Sequence, residues 1–388
     1  MDDEMDEPEV ELLSEHPEWA DVVPIPQRES AEPVVQILYD NEYSDAMGLL
    51  RALMLKGELS PRALHLTTII IFMNSAHLTV WEFRRCVLAS LNSKGKWLAE
   101  LEFMDEVNRL NTKNYQLWNH RRAVLSTILP ATSLERERTQ RLRADTTRSE
   151  HTLDAELHYL EHQVFREDAK HYHAWAHRQW LVSRFGCWDG ELAMTRRMIQ
   201  RDKYNNSAWN HRFYALSKGA KPLGEAPGGG EGGEGAEKSP FQKEVLHTMS
   251  VLEETPENES CWSFLTGLLF RGPSFLRVSP AEFAEVVEVL TKFCKVLEMG
   301  KMAKKGAKAG VKRASFRANM SYLLALRLLG KQDKGSKLWE GLSDLLDAQA
   351  HLRSATEDFA ALRTTDPIRS AAYDVKIALA RKIMGECA

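Results

Sequence analysis

The chain has 388 residues, 27% of them charged and 43% hydrophobic, enough for one large or two ordinary domains with a full core and far beyond a disulfide-stapled miniprotein. Its net charge of −4 hides a split, because residues 1–18 hold nine Asp/Glu and no Lys/Arg while the remainder carries about +5; the chain is neither uniformly acidic nor strongly basic. The longest apolar run, Leu66 to Met73, is broken by two threonines and falls far short of the roughly 20 residues that span a bilayer.

The opening MDDEMDEPEVELL has neither the positive nor the apolar stretch of a secretory signal, and its acidity is the opposite of a mitochondrial transit peptide, so a cytoplasmic location is expected. Residues 41–56 place Ala46, Leu49, Leu50, Leu53 and Met54 on one helix face, with Asn41 or Ser44 as the expected cap. The same periodicity predicts helices over 191–201, 281–299, 314–330 and 335–350, and Asp366-Pro367 has the form of an N-cap followed by proline. Five cysteines (Cys86, Cys187, Cys261, Cys294, Cys387) are widely spaced, odd in number and without a CxxC pair, which argues against both a disulfide framework and a zinc ribbon. Cys387 is second from the end, so the tail is not itself a prenylation signal.

Five segments repeat: LTVWEFRR (78–85), YQLWNHRR (115–122), YHAWAHRQ (172–179), NSAWNHRF (206–213) and ESCWSFLT (259–266). Their tryptophans, Trp81, Trp118, Trp175, Trp209 and Trp262, lie 37, 57, 34 and 53 residues apart, and the short spacings match one helical hairpin of a solenoid. The longer intervals each contain a polar insert, at 131–150 and at 217–240; the second has eight glycines and is expected to be a mobile surface loop. A third insert, 301–313, carries six cations with no aromatic residue among them, which suits a solvated loop better than a nucleic-acid surface.

Repetition itself assigns most of the motif to packing. The arginine three residues after each Trp (Arg84, Arg121, Arg178, Arg212) shares its helix face and is expected to pair with a carboxylate of the adjacent hairpin, and His120, His177 and His211 read as scaffold too. Four residues before the Trp stands Asn114, Asn205 or Asn258, replaced by His77 and His171 in the other copies, at the turn that enters the helix. Function is expected where copies differ. Only the second and third repeats have Lys five residues and Tyr three residues before the Trp: Lys113 with Tyr115, and Lys170 with Tyr172. A lysine at such a turn could meet an anion at the positive end of the helix, although an exposed lysine is usually just solvated. His158 and His162 have metal-like spacing, yet no third ligand accompanies them, and there is no phosphate-binding glycine loop or nucleophile elbow.

The Trp-centred motifs resemble the prenyltransferase α-subunit repeat. In particular DAKHYHAWAHRQWLV (168–182), FGCWDGEL (185–192), RDKYNNSAWNHRF (201–213) and PENESCWSFLTGLL (256–269) resemble consecutive repeats of the α subunit shared by protein farnesyltransferase and geranylgeranyltransferase type I. VPIPQRESAEPVVQILYDNEYSDAMGLLRALM (23–54) and TDPIRSAAYDVKIALARK (365–382) are similar to its first and last segments. The resemblance implies an all-α fold, a right-handed α-α superhelix of helical hairpins over 23–388, with residues 1–22 outside it as an acidic disordered tail. It implies one half of an enzyme that moves an isoprenoid from farnesyl or geranylgeranyl diphosphate to the cysteine of C-terminal CaaX proteins such as small GTPases. The partner would be a farnesyltransferase or geranylgeranyltransferase type I β subunit. Zinc would belong to that β subunit and magnesium to the diphosphate, with no metal held by this chain, no nucleic acid bound and no membrane span.

Carried over by motif, Lys170 matches the family's diphosphate-stabilising lysine. Tyr172, His173, Tyr115, Gln116 and Asn205 match substrate-binding positions, and Arg178 and Trp209 match supports near the site. His171 stands where the family usually has Asn, so the geometry of the turn ahead of Tyr172 does not carry over, and nothing carries over onto the three inserts. The alternatives are the α subunit of Rab geranylgeranyltransferase, whose leucine-rich-repeat tail and strand-rich insert have no counterpart here, and a non-catalytic helical-repeat scaffold, which would have no reason to hold Lys170 and Tyr172.

Overall fold

The computed structural model describes residues 12–28, 35, 37–129, 153–219, 238–279, most of 281–293, 342–365 and 370–384. Every regular element among them is helical, as the apolar spacing requires. They belong to two compact units, Met1–Cys187 and Trp188–Ala388, so the first three Trp segments fall in one unit and the last two in the other.

In the first unit α1 (Asn41–Lys56) and α2 (Pro61–Met73) make the leading hairpin. α1 has the expected bounds, but its N-cap is Asp40, without a side-chain hydrogen bond, rather than Asn41 or Ser44. α2 starts on Ser60, whose hydroxyl accepts from Ala63 N at 3.2 Å, with Pro61 preset for the first turn. α3 (Leu78–Leu91), α4 (Lys94–Leu110) and α5 (Tyr115–Ile128) follow. α6 begins at Leu153–Tyr159, continues through a π turn at Leu160–Val164 and ends with Phe165–Glu167; α7 is Tyr172–Phe185.

Residues 12–22 are packed rather than forming part of a disordered tail. Trp19 and Val22 are buried, Ser14 N donates to the Asp45 carboxylate at 2.9 Å, and the Arg62 guanidinium holds both oxygens of Asp21. The acidity of this stretch does not keep it in solvent because an indole and an isopropyl group supply apolar surface to bury. The chain then crosses α1 at Gly48, where Ile25 N donates to Gly48 O at 3.1 Å and a Cβ would lie 2.9 Å from Pro24 Cβ.

The second unit contains α8 (Glu191–Arg201), α9 (Asn206–Gly219), α10 (Pro240–Glu254), α11 (Glu259–Leu276), α12 (Leu342–Thr365) and α13 (Ser370–Met384). α8 has the bounds expected from periodicity. The described positions between 281 and 293 are helical, and α12 overlaps the predicted 335–350 segment but extends to Thr365. Ser239 and Gln242 form a capping box at the start of α10, each satisfying the other's backbone N–H. Stacked rings of Phe359 and Tyr373, centroids 5.9 Å apart, join α12 to α13. The inserts at 131–150 and 301–313, most of that at 217–240, the helix expected over 314–330 and the Asp366-Pro367 cap lie outside the described residues.

A buried polar ladder joins successive hairpins. Arg84 of α3 makes two hydrogen bonds, 2.6 and 2.7 Å, to Glu100 of α4, and His120 of α5 donates to the same carboxylate at 2.8 Å. One hairpin on, Arg121 of α5 grips Glu156 of α6 with two 2.7 Å bonds and His177 of α7 donates to it at 2.8 Å. In the second unit His211 pairs with Glu191, and Arg212 binds Glu244 through bonds of 2.7 and 2.6 Å. The outermost copies lack parts of the ladder: the first repeat has Phe83 at the histidine position, and the last has Phe264 and Leu265 at the histidine and arginine positions. Burial alone would raise the Glu100 carboxyl, but Arg84 and His120 outweigh it and hold it at about 2.

Candidate functional site

Two equivalent turns of the first unit carry the residues that distinguish the second and third repeats. Thr112–Asn114 leads into α5, and Asp168–His171 leads into α7. Asn114 Oδ1 caps α5 by accepting from Gln116 N at 2.9 Å, while His171 Nδ1 caps α7 by accepting from Ala174 N at 3.2 Å. The turns are tied together twice: Lys113 pairs with the Asp168 carboxylate, and His171 Nε2 donates to Thr112 O at 2.6 Å. The Lys113 bond draws the Asp168 carboxyl below its ordinary range, so this acid stays ionised, and its other oxygen shapes the turn by accepting from Lys170 N at 2.9 Å.

Lys170 is exposed on this turn, two residues before α7 begins. Tyr172 and Tyr115, the first residues of α7 and α5, are 76% and 61% exposed, an unusual amount of aromatic surface to leave in water at two repeat-equivalent places. Gln116 is buried and its Nε2 donates to the Tyr115 hydroxyl at 2.8 Å, orienting that phenol. His173 is half-buried, its ring centroid 5.3 Å from that of Tyr172; burial lowers its proton affinity, and the nearby charges of His171, Lys113 and Arg122 act in the same direction. Lys170, Tyr172, His173, Tyr115 and Gln116 therefore share one pair of adjoining turns. Arg178 belongs to the same unit but is buried, with Nη1 donating to Leu157 O at 3.3 Å.

Asn205 and Trp209 belong to the second unit, and both are interior. Asn205 Oδ1 accepts from Ala208 N at 3.1 Å, and Trp209 Nε1 donates to Lys203 O at 2.8 Å. Of the four ladder carboxylates, Glu100, Glu191 and Glu244 each stand eighteen residues ahead of a motif Trp, a spacing that marks the ladder acids in the chain itself. Glu156 stands nineteen ahead of Trp175, and the extra residue is absorbed by the π turn Leu160–Val164, which lets the carboxylate face Arg121 and His177 as its counterparts face theirs.

Among the described residues, no group of three or more His, Cys, Asp or Glu could hold a metal ion. The exposed His158 and His162 rings are 4.1 Å apart, and Cys261 is buried with its thiol pushed up by desolvation, away from the thiolate a metal needs. No described helix is long and apolar enough to cross a membrane.

Residues 97–128, 153–185 and 188–219 match the family model of the protein prenyltransferase alpha subunit repeat. Each matched window spans one ladder carboxylate and the Trp-containing helix after it. The protein farnesyltransferase/geranylgeranyltransferase type-1 subunit alpha of Pisum sativum is 35% identical over 73% of this chain and 74% of its own length. Its Arabidopsis thaliana counterpart is 38% identical over 66% and 68%. The geranylgeranyl transferase type-2 subunit alpha of Rattus norvegicus is more distant, 29% identical over 55% of this chain and 35% of its own. The Candida albicans protein geranylgeranyltransferase-I complexed with GGPP superposes with a TM-score of 0.60 at 23% identity, covering 93% of this chain and 98% of that one, a likeness of fold.

Proposed function

The chain belongs to the family of protein farnesyltransferase/geranylgeranyltransferase type-1 α subunits, and from that premise we propose that it supplies the diphosphate-stabilising lysine, Lys170, to a heterodimeric prenyltransferase. The reaction moves an isoprenoid from its diphosphate to the cysteine sulfur of a C-terminal CaaX peptide. The cysteine gives up its thiol proton to solvent and reacts as thiolate: a C–S bond forms at isoprenoid C1 while the C1–O bond breaks, and the diphosphate leaves with the bonding electrons, its negative charge growing as it departs. An ammonium held beside that oxygen lowers the barrier because it interacts more strongly with the transition state than with the bound substrate.

The observation that carries this reading is the placement of Lys170 and Tyr172 on one exposed turn at the positive end of α7, in a repeat that otherwise follows the scaffold pattern. Tyr172, His173 and the paired Tyr115 and Gln116 line the adjoining turns, where they would contact the diphosphate region and the last residue of the peptide. Asn205, matched by motif to a substrate-binding position, and Arg178 and Trp209, matched to supports, are buried within their own units. The partner β subunit of farnesyltransferase or geranylgeranyltransferase type I would complete the isoprenoid pocket and thereby choose between the C15 and C20 donors. The family resemblance assigns zinc to the partner subunit and magnesium to the diphosphate, and no step above depends on either. The cytoplasm is the proposed location.

The test is coexpression with each β subunit, followed by single-turnover transfer to a CaaX peptide. Lys170→Ala should slow the chemical step by about 2–4 kcal/mol in barrier while peptide affinity is preserved. Wild-type single-turnover rates in that variant would overturn the assigned role.

A further inference from the structure

In the second, third and fifth repeats the residue four before the motif Trp has two tasks: it caps its own helix and donates a hydrogen bond to the turn of the preceding repeat. Asn114 accepts from Gln116 N and donates through Nδ2 to Ser75 O. Asn258 accepts from Ser260 N at 3.1 Å and Cys261 N at 3.3 Å and donates to Lys203 O at 2.7 Å. The third repeat performs both tasks with an imidazole. Because Ala174 N–H can only donate and Thr112 O can only accept, His171 must carry its proton on Nε2 and keep Nδ1 bare.

The exchange leaves a defect that the asparagine repeats lack. Ser75 O also receives Trp81 Nε1 and Lys203 O also receives Trp209 Nε1, each at 2.8 Å. The corresponding carbonyl, Thr112 O, is taken by His171, and Trp118 Nε1 is buried with no hydrogen-bond partner among the described residues. A buried N–H without a partner is costly, and a chain that uses asparagine in three of its five copies has a simple way to avoid it. The defect lies beneath the one turn that carries Lys170 and Tyr172.

We propose that His171 is a positioning residue: neutral, it clamps the Lys170–Tyr172 turn to the Thr112–Tyr115 turn, and protonation of its Nδ1 releases the α7 cap and slows prenyl transfer. This rests on the function proposed above. A proton on Nδ1 would point at Ala174 N–H, setting donor against donor and adding positive charge at the positive end of the helix. The charged and titratable groups facing the ring are Lys113 and Asp168 from the two turns and His173 from α7, whose ring centroid is 6.1 Å away. Burial depresses the proton affinity of His171; the Thr112 bond opposes this, Lys113 reinforces it and Asp168 opposes it, leaving the ring below its ordinary value and neutral at neutral pH.

The test compares wild-type, His171→Asn and His171→Ala heterodimers from about pH 8 down to about pH 5.5, together with thermal unfolding of each full-length chain in its complex. His171→Asn restores a cap that cannot titrate. It should keep the wild-type kcat/KM within about twofold at pH 8, flatten the acid-side fall, and raise the melting temperature as Trp118 gains Thr112 O. His171→Ala should lower kcat/KM by about tenfold at every pH through misplacement of the turn. An acid limb in His171→Asn equal to that of the wild type, or unaltered kinetics in His171→Ala, would overturn the proposal. If the wild-type heterodimer transfers no prenyl group with either β subunit, the parent reading fails separately; the clamp is then overturned only if His171→Asn also leaves the pH dependence of unfolding unchanged.

Discussion

Arg121 and Glu156 meet through two parallel hydrogen bonds of 2.7 Å with both side chains withdrawn from solvent, and the third ligand of the carboxylate, His177, comes from the following repeat. One acid therefore locks three helices together. A buried ion pair is not in itself strongly stabilising, since each charge gave up hydration to form it, but breaking one leaves the partner charge stranded. Glu156→Ala should cost about 3–5 kcal/mol of unfolding free energy, and replacing Arg121 and Glu156 together by Met and Leu should recover a large part of that loss. Denaturant unfolding of the three proteins decides it; a loss under about 1 kcal/mol in the single variant would show that the pair does not hold the hairpins together.

The ladder histidines impose a pH dependence of definite sign. Burial depresses the proton affinity of His120 and His177 in the folded chain despite their glutamate partners, so on acidification the unfolded chain takes up protons first. Their contribution to stability is complete above the ordinary histidine value near 6.5 and declines as pH falls through it. Glu100, held at about 2 against an ordinary 4.5, extends the decline into stronger acid. His120→Phe, which copies the residue found in the first and last repeats, should shallow the slope of unfolding free energy between about pH 7 and pH 5.5. A slope identical to that of the wild type would show that His120 does not contribute to it.

The π turn offers a test of register. Deleting Gln163, an exposed residue of that turn, returns Glu156 to the eighteen-residue spacing found in the other copies. The expected outcome is a folded protein within about 2 kcal/mol of the wild type. Deleting exposed Glu102 from α4, which has no spare residue, rotates Glu100 about 100° away from Arg84 and His120 and should be far more damaging. Equal losses in the two deletions would rule out the π turn as the absorber of the extra residue.

Gly48 sets how closely the leading segment approaches α1. A Cβ there would lie 2.9 Å from Pro24 Cβ, so Gly48→Ala should force the 23–26 segment outward and cost about 1–3 kcal/mol, with faster proteolytic cleavage upstream of α1. A melting temperature at or above that of the wild type would show that the segment yields without loss.

The sequence by itself determined the helical class, the five Trp segments and the uneven distribution of lysines and tyrosines among them. Helical periodicity is set by neighbours three and four residues away, and a repeated indole marks a repeated packing site, so both are written locally. It also pointed to the Lys113–Tyr115 and Lys170–Tyr172 turns as the places where two copies depart from the rest. Tertiary structure alone decided which carboxylates Arg84, Arg121 and Arg212 take, because Arg84 and Glu100, for example, lie on helices that become neighbours only when the hairpins stack. It decided that Trp19 and Val22 bury an acidic stretch that charge alone would leave in solvent, and that Asn205 is an interior cap. It decided, too, that His171 does the work of an asparagine at the expense of Trp118. A hydrogen bond between residues 59 positions apart depends on how two turns approach in space, and no local pattern in the chain encodes that approach.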